Sequence, residues 1–173
     1  GALIREGKIG ALKSLGGFHL CCDATSTPAV AELRRRKRRD EKPFAIMVAD
    51  LAQAEMICQA GPEEKDLLLS PQRPIVLLDA RPNNGIAESA APGNPALGVM
   101  LPYTPLHHLL ARELEGQVLV MTSGNLSDEP IVYRDADVIP KLSGVADFFL
   151  THNRPIHLRC DDSVVRSAKG KPL

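Results

Sequence analysis

The order of residues predicts an α/β domain with a largely parallel or mixed sheet. Short apolar runs, among them Phe18 to Cys21, Ile75 to Leu78, Val99 to Leu101 and Val118 to Val120, have the length and composition of buried strands. Segments with helix-start signals separate them: Thr27 before Pro28, Asp50 before Leu51, and Thr104 before Pro105. The runs lead into loops rich in Ser, Gly, Asn and charge, where an open α/β sheet usually presents its ligand-binding groups.

Taken in order, Leu3 to Glu6 reads as the end of a helix closed by Gly7. Ile9 to Leu12 is a short strand, followed by the Lys13-Ser14-Leu15-Gly16-Gly17 loop and a strand through Phe18, His19, Leu20 and Cys21. Thr27 is expected to cap a helix with Pro28 at its first position. That helix runs through Val30 and Leu33 into a basic run and must stop before Pro43, since the residue before a proline disfavours helical geometry. Phe44 to Val48 is strand-like, Asp50 caps a helix from Leu51 to Ala60, and Glu63 to Leu69 forms another. Ala80 to Leu97 holds Asn, Gly and Pro without periodicity and reads as a long loop, a candidate lid on its length alone. Thr104 opens a helix to about Gly116, with Leu106, Leu109, Leu110 and Leu114 on one face. A strand leading into Ser123, a helix from about Asp135 to Leu142, and strands at Phe148 to Leu150 and Val164-Val165 complete the pattern.

The 173 residues suit one domain with a sizeable core. The chain enters directly into a helical pattern and stops soon after an apolar strand, so residues 1–173 are expected to be one domain of a longer polypeptide. Hydrophobic content of 44% and charged content of 24% are those of an ordinary globular protein. Aromatics are 3%, with no Trp, so stacking on bases is not a main binding device. The 21 basic and 21 acidic residues cancel, which argues against bulk affinity for nucleic acid while allowing local patches. Cys21, Cys22, Cys58 and Cys160 lack C-x-x-C spacing, so neither a zinc site nor a disulfide framework is expected, and no metal ligands are assigned. They read as small hydrophobes in a reducing compartment, the cytoplasm. No apolar stretch approaches the ~18 residues of a membrane span.

Four polar clusters could carry chemistry. Arg34 to Arg39 and Lys42 put seven of the 21 basic residues within nine positions at a helix end. A helix dipole accounts for one or two such cations but not for six in succession; a polyphosphate clamp explains the concentration, since arginine binds phosphate bidentately. Lys13 and Ser14 before paired glycines loosely resemble a phosphate loop, although neither G-x-x-x-x-G-K-[ST] nor G-x-G-x-x-G is present. Met121 to Ser127 reads Met-Thr-Ser-Gly-Asn-Leu-Ser directly after an apolar run; Ser123 and Asn125 offer donors that suit phosphate or carboxylate oxygens, and the same residues also suit an ordinary turn. His152 to Ser163 gathers two histidines, two arginines and two aspartates, where Arg-Asp pairing would orient the loop and Ser163 would add a phosphate-facing hydroxyl. His107 and His108 read as ordinary helix residues. No signature of a covalent nucleophile stands out, and the cationic, hydroxylic inventory suits nucleotidyl or phosphoryl transfer.

Four segments together resemble a known family. Lys13 to Ala24, Leu33 through Lys42-Pro43-Phe44-Ala45-Ile46-Met47, Thr122 to Ser127, and His152-Asn153-Arg154 through Arg159, Asp161-Asp162-Ser163-Val164 are similar to the YrdC-like domain of hydrogenase-maturation carbamoyltransferases of the HypF type. The resemblance implies a YrdC-like twisted mixed α/β sheet with flanking helices and a basic concave face that binds ATP. It implies formation of carbamoyl-adenylate from ATP and carbamate, itself derived from carbamoyl phosphate by another part of the enzyme. Transfer to a cysteine of a partner maturation protein would follow, on the way to the cyanide ligands of NiFe-hydrogenases. Family members also carry neighbouring acylphosphatase-like and zinc-finger domains.

Carried over by position, Arg36 and Arg38 fall at the family's Lys-x-Arg phosphate-binding pair and Lys42 at a further lysine. Ser123 and Asn125 match a Ser-Ala-Asn element with Gly124 in place of Ala, and Ser163-Val164 match a Ser-Thr-Val element. The expected catalytic set is Arg36, Arg38, Ser123 and Asn125. The expected ATP-binding set adds Lys13, Ser14, Lys42, Arg159 and Ser163, with Mg²⁺ bridging phosphates. Threonylcarbamoyl-adenylate synthases of tRNA modification, the sister group, carry a Pro-Thr-acidic-Thr stretch where this chain has Lys13-Ser14-Leu15-Gly16, which argues against threonine as substrate. That synthase activity, and double-stranded RNA binding through the Arg34 to Arg39 run, are the competing readings.

Overall fold

A computed structural model describes residues 1–126, 129–168 and 171–172; Ser127, quoted above, and Leu173 lie outside the described residues. The first half runs α1 (Ala2–Arg5), β1 (Gly10–Lys13), β2 (Phe18–Asp23), α2 (Thr27–Lys37), β3 (Ala45–Met47), α3 (Leu51–Ile57), β4 (Cys58–Gln59), α4 (Pro62–Leu69) and β5 (Ile75–Ala80). After a single 3-10 turn (Glu88–Ala90) come β6 (Ala96–Met100), α5 (Pro105–Glu113), β7 (Leu119–Ser123), α6 (Asp135–Leu142), β8 (Phe148–Leu150), β9 (Val164–Val165), β10 (Ser167–Ala168) and β11 (Lys171–Pro172). The main sheet has the order β4-β5-β6-β3-β7-β2-β1-β8, with β9 added on β5. β1/β8, β3/β6 and β5/β9 are parallel and the other pairs of this sheet antiparallel, so the expected mixed sheet is present.

Alternation along the strands assigns side chains to two faces. Leu20, Cys22, Ile46, Val76, Leu78, Leu97, Val99 and Val120 point to one face, where Val30, Leu33, Ala54, Leu68, Val138 and Leu142 from α2, α3, α4 and α6 cover them. Leu12, Cys21, Met47, Met100, Leu119 and Met121 point to the other, where Ile4 of α1, Leu110 and Leu114 of and after α5, and the partly buried Tyr103 and Phe148 pack against them. The two helices leave part of this second face uncovered. Its continuation, Ala45, Ile75, Leu77, Ala96, Gly98 and Ser123, lines a cavity instead of a core.

Local signals account for most helix starts. Asp50 accepts a hydrogen bond from the Gln53 amide at 2.8 Å, and Thr104 accepts one from the His107 amide at 3.1 Å. At α2 the cap is Ser26, which accepts from Ala29 N, so Thr27 and Pro28 occupy the first two helical positions and the expected cap was one residue late. α3 stops at Ile57 because Cys58 and Gln59 leave to pair with Ala80 and Asp79 at the sheet edge. In α5 the buried positions are His107 and Leu110, while Leu109 is exposed; a histidine takes the inner place expected of a leucine.

The long segment before β6 is anchored at its middle. Ala87, Ala90 and Ala91 are buried in the larger core, and Phe44 N and Ala87 N bond to Ala90 O and Ala24 O at 2.8 and 2.9 Å. Hydrogen-bonded backbone in a packed core does not open readily.

Lys13 lies on the helix-covered face by the same alternation. Its ammonium is fully buried, paired with Asp135 of α6 at 2.7 Å and donating to His152 O at 3.0 Å. Expected at the nucleotide, Lys13 here ties α6 and the following segment to the sheet and is not among the residues lining the cavity described below. Asp135→Asn should lower unfolding free energy by about 1–3 kcal/mol, the range for a hydrogen bond to a buried charge. Urea denaturation checks this, and nucleotide affinity measured on the folded variant should not change.

Candidate functional site

The uncovered part of the second face forms a cavity of about 480 Å³. Ala45, Ala96 and Gly98 make a flat floor walled by Ile75, Leu77 and Met121. A Cβ on Gly98 would stand 2.9 Å from Ile75 Cγ2, so the glycine keeps that floor low. Arg39, Lys42, Asp161 and Asp162 also line the cavity. Arg39, Lys42 and Ser123 also border an adjoining depression of about 510 Å³, together with Lys37, Arg38 and Asn125.

The basic run does not act as a block. α2 ends at Arg38 in the left-handed region (φ 55°, ψ 49°), a conformation that is costly for a residue with a Cβ and turns the chain toward the cavity. Arg34 holds the turn, donating to Arg39 O at 2.8 Å, Asp40 O at 3.0 Å and Ser89 O at 2.9 Å, with its guanidinium 4.5 Å from the Phe44 ring centre. Arg35 and Arg36 both pair with Glu32 at 2.7 Å. Arg36 also reaches Asp147 at 2.7 Å and Val145 O at 3.0 Å on the flank of the sheet. Its side chain, expected in the phosphate clamp, lines neither cavity. Arg38 borders the outer depression only, whereas Arg39 and Lys42 border both.

Lys37 is buried, and its ammonium donates to Ser123 O at 2.6 Å, Asn125 O at 2.7 Å and Asn125 Oδ1. Three N–H groups thus meet three oxygens. Burial draws its pKa down to about 7, with repulsion from Arg39 and Lys42 adding to the fall. The Ser123-Gly124-Asn125 loop is closed on itself. Ser123 Oγ donates to Asn125 Oδ1 at 2.8 Å, Asn125 Nδ2 donates to Glu129 O, and the amides of Gly124 and Asn125 bond to Phe18 O and Ser123 O. Gly124 is required there, since a Cβ would stand 2.5 Å from Phe18 O.

Behind Asp162 lies a network that the sequence did not suggest. Asp162 accepts from Tyr103 Oη at 2.8 Å and pairs with His19 Nε2 at 2.8 Å; Ser14 Oγ meets Tyr103 Oη at 3.1 Å and His107 Nε2 at 3.4 Å. Burial alone would raise the Asp162 carboxyl, but the bonds from His19 and Tyr103 hold it below the usual carboxylate range. Burial lowers His107 to about 3 and keeps it neutral, and burial beside Asp162 pushes the Tyr103 hydroxyl upward. Ser14, expected at the nucleotide, is buried inside this network and lines neither cavity above. Arg159 is exposed and also lines neither. Ser163 borders a smaller cavity of about 360 Å³ with Tyr103, Cys160 and Asp162, and its carbonyl accepts from Ile75 N at 2.8 Å.

His19 was open to discovery from strand parity, since it shares the face of Cys21 and stands opposite Ser123 in the ladder. Tyr103 and His107 carried no local signal. Among the described residues, no group of three or more His, Cys, Asp or Glu side chains is placed to hold a metal ion. No helix among them is long and apolar enough to cross a membrane.

An open mixed α/β sheet with a cationic cavity on its half-covered face defines the class of the fold and site. The model of the Sua5/YciO/YrdC family, described as telomere recombination, matches residues 2–173, and the chain belongs to that family. It is 49% identical over 98% of its length to Carbamoyltransferase HypF of Synechocystis sp., and covers 22% of that protein. A crystal structure of full-length HypF in the phosphate- and nucleotide-bound form superposes with a TM-score of 0.95 at 47% identity, over 99% of this chain and 27% of that one. A more distant relative, Threonylcarbamoyl-AMP synthase of Bacillus subtilis, is 26% identical over 83% of this chain and 42% of its own length. The chain therefore spans about a fifth of the length of the HypF relative it matches.

The buried ammonium sets a pH dependence with a definite sign. Between about 7 and the ordinary lysine value of 10.5, the unfolded chain binds the Lys37 proton and the folded chain releases it, so this group adds stability as pH rises; below about 7 both states hold the proton and the contribution is flat. The unfolding free energy of wild type minus that of Lys37→Met should therefore increase between pH 7 and 9, by at most about 1.4 kcal/mol per pH unit. Urea titrations at stepped pH measure the difference; a flat difference would mean that Lys37 keeps an ordinary pKa in the fold.

Proposed function

We propose that the cavity binds ATP and that the domain forms carbamoyl-adenylate from ATP and carbamate, the carbamate being derived from carbamoyl phosphate elsewhere in a larger carbamoyltransferase. The observation that carries this reading is the lining of the cavity, an apolar floor of small residues bordered by the cations Arg39 and Lys42. Adenosine suits the floor of Ala45, Ala96 and Gly98. The triphosphate suits Arg39 and Lys42, and Asp161 and Asp162 would repel it. The HypF relatives and the nucleotide-bound HypF structure support the same assignment.

In this reading a carbamate oxygen attacks the α-phosphorus and pyrophosphate departs as its bond breaks. Arg39 and Lys42 stabilise the charge that develops on the departing oxygens, a term that is large where water is excluded. Because the described residues supply no three-ligand metal set, magnesium fits as an ion carried by the triphosphate and water, adding charge neutralisation. The acceptor would be a cysteine of a hydrogenase-maturation partner, and the four free cysteines accord with the cytoplasm.

The synthase reading is less well supported, since identity to HypF is 49% and to the threonylcarbamoyl-AMP synthase 26%. RNA binding through the basic run has little support, because Arg34, Arg35, Arg36 and Lys37 are engaged with groups of the domain itself.

Lys42→Ala and Arg39→Ala should each weaken ATP binding by about 10- to 150-fold, the range for one charge-assisted hydrogen bond, whereas Arg36→Ala should change it less than about threefold. Calorimetric titration decides this, and unchanged affinity in both cavity variants would remove these cations from the site. Carbamate, and not threonine, should stimulate ATP–pyrophosphate exchange, measured in the full-length parent protein. Stimulation by threonine alone would reverse the choice between the two enzymes.

A further inference from the structure

The loop after β7 holds its polar groups in an unusual sense for an anion site. Asn125 has a determined amide orientation, because the Lys37 ammonium can only donate to its Oδ1 and the Glu129 carbonyl can only accept from its Nδ2. Ser123 Oγ lies 2.8 Å from that same Oδ1, so the serine proton must point at Asn125. The amides of Gly124 and Asn125 are taken by Phe18 O and Ser123 O. Ser123 nevertheless borders both the main cavity and the cationic depression. What its hydroxyl turns to a ligand is lone pairs and not a proton.

We infer that Ser123 is a hydrogen-bond acceptor for the ligand, and that it selects the amino group of the carbamoyl moiety rather than a phosphate or carboxylate oxygen. The Lys37–Asn125 contact sets this polarity, since it holds Oδ1 where it captures the serine proton. Anion recognition is then left to Arg39 and Lys42. The small acid is identified by its N–H, at the border between the cations and the floor, where an acyl group on the α-phosphate would sit. A carbamate would be accepted, and an acid of the same shape with methyl in place of amino would leave the oxygen unpaired, at the cost that accompanies a buried acceptor without a donor. This inference rests on the adenylate reading above.

Two stable acyl-adenylate analogues, both sulfamate esters of adenosine, separate the possibilities: 5′-O-(N-carbamoylsulfamoyl)adenosine, whose acyl group ends in NH₂, and 5′-O-(N-acetylsulfamoyl)adenosine, whose acyl group ends in CH₃. By calorimetry the wild-type domain should bind the amino compound about 10-fold more tightly than the methyl compound, the effect of one unmade hydrogen bond. Ser123→Ala should bring the ratio close to one, and Ser123→Thr, which keeps the hydroxyl, should retain the preference. Equal binding of the two esters by wild type overturns the inference, as does a Ser123→Ala variant that loses the same factor for both. Binding of neither ester by a domain that still binds ATP would instead defeat the adenylate reading, and this inference with it.

Discussion

The ammonium of Lys37 joins the two pieces of chain on which the site depends. It lies at the last turn of α2 and its three donors go to Ser123 O, Asn125 O and Asn125 Oδ1 at the end of β7. A charge held out of water tolerates no loss of partners; removing them from such a group costs about 3–5 kcal/mol. The helix end therefore cannot drift from the loop. The turn at Arg38 that follows then delivers Arg39 and Lys42 to the rim of the cavity, with Arg34 bracing the turn from behind. One buried cation thereby positions two others that border the cavity.

The cavity exists because the two sheet faces are covered unequally. Four helices cover one face, and the short α1 with α5 cover part of the other. The small residues Ala45, Ala96 and Gly98 occur on the part left open, where bulk would fill the space that a ligand takes. Tertiary contacts close the rim on the acidic side: Asp162 is held by His19 and Tyr103, and the bond from Ile75 N to Ser163 O leads the chain into β9. The segment from His152 to Ser163, with little regular structure of its own, becomes a wall of the cavity through these few bonds.

Charge is arranged by depth more than by amount. The net charge of the chain is zero, yet Arg35, Arg36 and Lys37 are paired or enclosed, and Arg39 and Lys42 border open space. Counting cations in the run was therefore a poor guide to which of them meet a ligand. Helical geometry decides this: successive residues on α2 point about 100° apart, so Arg36 faces Glu32 and Asp147 while Lys37 faces the sheet. Past the left-handed turn the direction changes again, and Arg39 is aimed back over Phe44 toward the floor.

Much of the fold was legible locally. Strands such as Val118 to Val120 and Ile75 to Leu78, the caps at Asp50 and Thr104, and the helix from Asp135 to Leu142 follow from periodicity, β-branched content and capping chemistry, all short-range properties. The α/β class and the family resemblance came from the same residues. The burial of Ala87, Ala90 and Ala91 within the segment from Ala80 to Leu97 was not legible, because alanine carries no period of its own and their place beneath Phe44 and Arg34 is set by contacts with other segments. Neither was the choice of Lys37 and Arg39 over Arg36, nor the gathering of Ser14, His19, Tyr103, His107 and Asp162 from five separate places in the chain. The sequence by itself determined which segments are strands and helices and where polar loops leave them, since those depend on neighbours along the chain. Only the tertiary structure decided which polar groups are buried, which partner each one takes, and hence which face a ligand, because burial and pairing are properties of the packed sheet.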